Sequence, residues 1–390
     1  MKKELIVLLV CLIIIVISFC GCLDDDVETK DDDSDDYDDD IIDEVDFDED
    51  WRSETVDDTG WVGIDSAIDV DKSGNPHISH YDQGNRDLKY AYFDGSHWNL
   101  ETVDSEGDIG EASDIVVDKN EYPHISYIDV TTRSLKYAVK KQSGWEIEIV
   151  ETPSAGLQVM TTSIELDAND YLHIAYSTSP GIKYSYWDGS SWIIEEVLDK
   201  GYGLSFTLDS NDDPHVVYRW SDPDEDIERL EYATKKEGQW IFATIDSSPG
   251  DGGDCSIAVD SNNIPHVAYN AHIDESLRYA KLVDESWIIE TISEDIGSEE
   301  GVRIFVDKND IVHVVYADYN NDPGTLVYAK KSADSWVFEI FDRSGNPSLV
   351  VDHLERVHVS HGFSVDEDPT QYIPDSTEKS IEILKYSIRE

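Results

Sequence analysis

An aspartate followed six residues later by a histidine recurs seven times along this chain. The pairs are Asp71/His77, Asp118/His124, Asp167/His173, Asp209/His215, Asp260/His266, Asp307/His313 and Asp352/His358. An apolar run precedes each aspartate and another follows each histidine, as in Asp260-Ser261-Asn262-Asn263-Ile264-Pro265-His266-Val267-Ala268-Tyr269. Self-similarity at a period of tens of residues means stacked copies of one supersecondary unit. The 390 residues therefore need not divide into two or three separate domains, as length alone would suggest.

Two further landmarks share the period. A Leu-Lys-Tyr-Ala-like phrase follows each histidine, at 88–91, 135–138, 182–185, 230–233, 277–280, 326–329 and 384–387. A tryptophan then opens another segment, at Trp51, Trp98, Trp145, Trp192, Trp240, Trp287 and Trp336. Each repeat thus reads as four short strands rich in Val, Ile, Tyr and Trp, divided by Gly, Asn, Asp and Pro. Four strands in each of seven repeats predict an all-β, seven-bladed β-propeller over residues 51–390. The chain enters this region with a lone fourth strand, 51–56, and leaves it with a third strand, 383–388. Pairing the two would complete the last blade and remove both exposed edges.

Spacing separates scaffold from working surface. Asp to His is constant, and Tyr to Trp is eight residues wherever both follow in sequence (Tyr90 to Trp98, Tyr279 to Trp287). Both hairpins lie on one face of the ring. On the other face, the step from His to the Leu-Lys-Tyr phrase is eleven residues in blade one (His77 to Leu88), nine in blade three (His173 to Ile182), fifteen in blade four (His215 to Leu230) and twenty-six in blade seven (His358 to Leu384). Variable loops on a rigid scaffold are where binding resides, so this variable face is the expected working face.

A histidine present once per blade is spread around the ring, and its copies cannot converge on one ion. The seven histidines are therefore read as structural, with strand-local hydrogen bonds, and the seven aspartates as caps of turn N–H groups. The tryptophans are read as packing for the same reason. The run Asp307-Lys308-Asn309-Asp310 resembles a calcium loop but lacks the glycine and distal glutamate of an EF-hand; no cofactor is expected, with Ca2+ the one ion considered. Aromatics outside the pattern are Trp61, Tyr202, Trp220, Phe363 and Tyr372, all in variable-face loops. Together with the acidic residues of the two longest insertions, 218–229 and 361–381, they define the candidate ligand-binding set: Trp220, Asp222, Asp224, Asp226, Phe363, Asp366, Asp368 and Tyr372. The expected partner docks between these loops and is basic, cation-bridged or a neutral glycan.

The ends of the chain carry a different message. Lys2 and Lys3 precede an apolar run from Leu5 to Phe19, too short for a comfortable membrane span, that ends in Phe19-Cys20-Gly21-Cys22. This reads as a lipoprotein-type signal over 1–22, cleaved after Gly21 and acylated on Cys22, which would place the protein on the extracytoplasmic face of the cell membrane. Cleavage there leaves only Cys22 and Cys255, so no disulfide is expected and Cys255 is an inert core thiol. Residues 23–50 hold 18 Asp or Glu among 28 positions, a composition that stays disordered and extends by self-repulsion. The formal charge of −57 excludes nucleic acid as a partner.

The phrases Asp71-Lys72-Ser73-Gly74-Asn75-Pro76-His77-Ile78-Ser79, Leu88-Lys89-Tyr90-Ala91 and Asp94-Gly95-Ser96-His97-Trp98 resemble secreted bacterial and archaeal β-propeller repeat proteins, distantly similar to sialidase and Asp-box propellers. The resemblance implies the fold. It does not carry sialidase chemistry: a complete Ser-x-Asp-x-Gly-x-x-Trp box is missing, with only Asp94-Gly95 and Asp188-Gly189 near its place. Arg303 is the only arginine in any first strand, where a sialidase needs three. No Ser-His-Asp arrangement, phosphate loop or zinc spacing stands out from the repeat. The expected function is therefore a monomeric, lipid-anchored binding module for a glycan or an envelope protein; the alternative is a polysaccharide-active hydrolase or lyase.

Overall fold

The computed structural model describes residues 47–390, apart from 155–157, 180, 223–226, 248–250, 273, 295, 298–300, 321–323, 334, 344 and 366–380. The signal segment, Cys22 and most of the acidic run 23–50 lie outside the described residues. All regular structure in the described part is β. The strands form seven four-stranded antiparallel sheets, and in six of them spatial order equals chain order. These six blades span 62–104, 109–151, 159–198, 202–246, 251–293 and 302–343. In the seventh, strands Ser348–Val351, Val357–Val365 and Ile381–Arg389 are completed by Trp51–Asp57 from the start of the region. The register runs from Trp51 opposite Arg389 to Asp57 opposite Leu384. The ring closes as expected, and the fold is a seven-bladed β-propeller.

Burial follows position in the blade. Second strands are sandwiched by neighbouring blades and are buried almost throughout, as in Pro76–Asp82. Fourth strands form the rim and are mostly half-buried or exposed until near their ends, as in Trp98–Asp104, whose last two residues are buried. Seven apolar clusters fill the spaces between adjacent sheets, one per seam.

The repeated polar residues join strands and blades. Each repeat aspartate accepts two N–H groups of the following turn; Asp71 Oδ1 takes those of Ser73 and Asn75 at 2.8 and 2.9 Å. The other six aspartates do the same. This turn forces its third residue after the aspartate to positive φ. Blade one uses Gly74 there, whereas Glu121, Asp170, Asp212, Asn263, Asp310 and Glu355 accept the strain elsewhere. Gly74 has a second reason to be small, because a Cβ on it would meet the Arg356 guanidinium.

In all seven blades the tyrosine of the third strand donates its hydroxyl to Nδ1 of the histidine at 2.5–2.7 Å. Nε2 then faces the repeat aspartate at 3.3–4.0 Å. Burial holds these imidazoles neutral, His77 near 4, against the pull of Asp71. A buried hydrogen bond of this kind contributes about 1 kcal/mol. Each tryptophan packs edge-on against the tyrosine of the preceding blade, with ring centroids 5.1–5.7 Å apart. Five of them also donate Nε1 to a glutamate of that blade: Glu54, Glu101, Glu148, Glu290 or Glu339. The histidines, aspartates and tryptophans are thus scaffold.

Candidate functional site

A second polar layer lies three residues after each histidine. Tyr127, Tyr176 and Tyr269 donate to Asp104, Glu151 and Asp246 at the end of the preceding blade's fourth strand, at 2.6–2.9 Å. Lys136, Lys183 and Arg278 pair with the same carboxylates. Either side of the closing strand, histidine replaces the tyrosine. His80 reaches Asp57 at 3.2 Å beside Lys89 at 2.8 Å, and His361 lies 3.5 Å from Asp342 beside Lys385 at 2.7 Å. His361 Nε2 is also 3.1 Å from Ser387 Oγ. Tertiary structure therefore brings together a serine, a histidine and an aspartate that sequence reading did not find. A nucleophilic relay needs serine and aspartate on opposite ring nitrogens and an open path for substrate. Here both approach Nε2, and Ser387 and His361 are fully buried. The cluster is a seam latch.

The axis of the ring is different in kind. First strands are the inner edges of their sheets, and their inward N–H groups have no strand partner. Polar side chains of the preceding blade cap them. Asp69 takes the N–H of Val117 at 2.7 Å, Asp114 that of Ile164 at 2.9 Å and Asp254 that of Gly301 at 2.7 Å. Ser205, Ser256 and Ser348 serve Ile257, Ile304 and Ile68. A cavity of about 290 Å³ opens among these strands and takes lining residues from all seven blades, which places it on the axis. That is near the lower end of the ~300–1,000 Å³ of small-molecule sites. Its walls carry the hydroxyls of Ser66, Ser113, Thr161, Thr162, Ser163, Ser205 and Ser348, the carboxyls of Asp65, Asp114 and Asp254, and Tyr202, Arg219 and Arg303. These residues come from the start of the first strands and the end of the second strand of blade four, so the cavity lies toward the variable face.

Electrostatics in the channel are set by burial and by like charges. Burial raises Asp65 and Asp114 above the usual carboxylate range, partly offset by the N–H groups they accept and by Arg303. Deeper in, burial and the charges of Asp114 and Asp69 push Glu165 up to about 8, so it is a neutral acid at pH 7. The cations are concentrated on blade four. The Arg219 guanidinium lies 5.0 Å from the Tyr202 ring centroid, and its Nη2 is 3.4 Å from Glu228, to which Tyr202 also donates at 3.0 Å. Next to it Trp220 carries Arg229 at 4.6 Å and Lys200 at 5.5 Å from its ring.

Of the sequence-derived candidates, Trp220 is half-buried against the blade-four cluster and edges the site without lining the cavity. Phe363 is half-buried under Lys385, 4.5 Å from its ring, away from the cavity walls. Asp222 lies in the second strand of blade four, Pro214–Asp222. Asp224, Asp226, Asp366, Asp368 and Tyr372 lie outside the described residues. Tyr202 and Arg303, singled out as departures from the repeat, do line the cavity. Arg219, Asp65 and Asp254 were missed, although a signal existed. Four residues after the histidine, the other blades carry Tyr81, Ile128, Ser177, Asn270, Ala317 and Gly362, so Arg219 breaks the pattern. A larger groove of about 410 Å³ lies between blades five and six. Lys281 lines it at the position where blades one and three place Tyr92 and Tyr186. It draws on two blades, and His266 and Tyr279 in its wall are a scaffold pair of the repeat.

No protein-family model matches this sequence, and no curated protein sequence does. Several solved structures share the architecture. An ulvan lyase of a new polysaccharide lyase family, bound to -[GlcA(1-4)Rha3S]-, superposes with a TM-score of 0.56 at 16% identity, covering 80% of this chain and 93% of its own. The polysaccharide lyase Uly1 gives a TM-score of 0.53 at 7% identity, over 83% and 89% of the two chains. AofleA from Arthrobotrys oligospora gives 0.50 at 11% identity, over 76% and 90%. At these identities the likeness is one of fold.

Proposed function

We propose that this protein binds a glycan at the variable-face mouth of its central channel. The axial cavity carries the reading: seven inner strands converge on a small space rich in hydroxyl and carboxyl groups, with an aromatic ring and two guanidinium groups at its edge. Sugars present dense hydroxyls on a partly apolar ring, and a few placed polar groups in a preformed pocket suit them. The two lyase propellers, which act on polysaccharides, support the same class of ligand. A glycan array and titration calorimetry test the reading. Tyr202→Ala should weaken the best ligand by about tenfold, the loss of one ring contact and one hydrogen bond. Equal binding by that variant would sink it.

A second reading, a polysaccharide-active enzyme, is favoured by the contact of Tyr202 and Arg219 with Glu228 beside the channel carboxyls. Release of reducing or unsaturated ends from the bound polymer, abolished by Tyr202→Phe, separates the two. In either case the protein is a monomer held on the extracytoplasmic face of the membrane by a lipid on Cys22, with no nucleic-acid partner. Mass spectrometry of the native N-terminus tests the anchor; an intact Met1 or an unmodified Cys22 would defeat it.

A further inference from the structure

The ionisable groups around the channel mouth are of two kinds. The acids are committed to the scaffold. Asp114 accepts the N–H groups of Ile115 and Ile164 at 3.0 and 2.9 Å, Asp254 that of Gly301 at 2.7 Å, and Asp65 that of Ala112 at 3.4 Å. Each caps an inner-strand edge that would otherwise hold unpaired N–H groups, which explains carboxyls at these sites.

The cations have no such scaffold role. At the position of Arg303 the other blades carry Ala67, Asp114, Ser163, Ser205, Ser256 and Ser348, so the blade does not need an arginine there. The Arg303 side chain is exposed to the lumen and donates Nη1 to the Val302 carbonyl at 2.8 Å. Arg219 likewise breaks the repeat. Its Nε is buried without an acceptor, and its contact with Glu228 is a long 3.4 Å. Its guanidinium lies over the Tyr202 ring, a placement that restrains the donor fork. Leaving one of its N–H groups buried and unpaired is unfavourable until something accepts it. Arg229 and Lys200 on the faces of Trp220 extend the cationic edge outward. This clustering occurs in a chain with only 29 basic against 86 acidic residues.

We propose that the glycan is acidic, and that Arg219 and Arg303 hold the carboxylate or sulfate of one sugar while the Ser and Thr hydroxyls of the channel wall meet its OH groups. A guanidinium fork matches either anion with two parallel charge-assisted hydrogen bonds, whereas neutral sugars offer it only uncharged hydroxyl acceptors, whose bonds are roughly half as strong. This inference rests on the glycan reading above, and its test separates the two.

The full-length protein is titrated with polygalacturonate oligosaccharides, with dextran sulfate and with neutral cello-oligosaccharides. The expected result is binding of at least one acidic probe and weak or no binding of the neutral one. Arg303→Gln, which changes an exposed lumen side chain, should lower acidic-probe affinity by about 10- to 100-fold, as for loss of a charged hydrogen bond. Arg219→Lys keeps the charge but removes the fork, and should fall similarly. Arg52→Gln, on the outer rim and 74% exposed, is the control and should bind like the parent. Melting curves confirm that each variant is folded. Neutral probes bound as well as acidic ones, with both arginine variants unimpaired, would overturn the acidic class and leave the glycan reading standing. Binding of neither kind would overturn both.

Discussion

Replacing Asp57 by asparagine tests whether the ring is held shut where the two ends of the fold meet. Asp57 ends the closing strand Trp51–Asp57 and is 1% exposed. Its Oδ2 receives Lys89 Nζ at 2.8 Å and His80 Nε2 at 3.2 Å from blade one, and its Oδ1 receives the Thr59 N–H at 2.9 Å and hydroxyl at 2.6 Å. Asparagine can keep the Thr59 contacts, but it leaves the Lys89 charge without its nearest partner. Breaking a buried ion pair on one side costs about 3–5 kcal/mol. Asp82, 3.6 Å from Lys89, compensates in part, so the low end of that range, about 3 kcal/mol, is expected. With an unfolding entropy of about 2.1 cal/mol/K per residue, a ring of this size should lose roughly 4 °C in Tm. The pH dependence has a definite sign. Burial raises the Asp57 carboxyl, but hydrogen bonds from His80, Lys89 and Thr59 outweigh it and hold the group well below the usual carboxylate range. The stabilisation is therefore present at neutral pH, above the unfolded value, and is lost as pH falls toward the folded one. The gap between parent and variant should narrow below about pH 5. Calorimetric melts at pH 7 and pH 3, with hydrogen exchange on residues 51–57 and 381–389, report both effects. An unchanged Tm at pH 7, with no faster exchange in those strands, would refute the latch.

Glu165→Gln should act in the opposite sense. Glu165 stays neutral up to about 8 in the fold but ionises near 4.5 when unfolded, so the folded state holds the extra proton and stability declines as pH rises between those values. The full difference corresponds to about 5 kcal/mol; lumen water should reduce it to about 2–3 kcal/mol. The variant should match the parent near pH 4.5 and melt higher at pH 8, and parallel Tm curves would refute this. Ala243 occupies the position from which five other blades offer a glutamate to the next tryptophan, and Trp287 Nε1 has no acceptor. Ala243→Glu should therefore stabilise by about 0.5–1.5 kcal/mol in urea unfolding; a destabilised variant would count against the Trp–Glu link.

The repeat determined the fold because each of its residues meets the same surroundings seven times. His266 finds Tyr279, Trp336 finds Tyr279 from the next blade, and Asp260 caps its turn. Each contact recurs once per blade, and the Asp-to-His and Tyr-to-Trp spacings are constant, so the repeat announces four strands per blade, seven blades and the strand exchange that closes them. The candidate site follows the reverse logic. It consists of residues that break the repeat, and they lie far apart in sequence. Asp65, Arg219, Asp254 and Arg303 come from blades one, four, five and six and meet only because ring closure brings inner strands to one axis. Loop length drew attention to Trp220 and Phe363 on blades four and seven, but length reports where a surface tolerates insertion, not where side chains converge. Whether a departure such as Arg219 points into the channel or into a seam depends on the pleat and tilt of its strand within the closed ring. The geometry of seven packed sheets decides that.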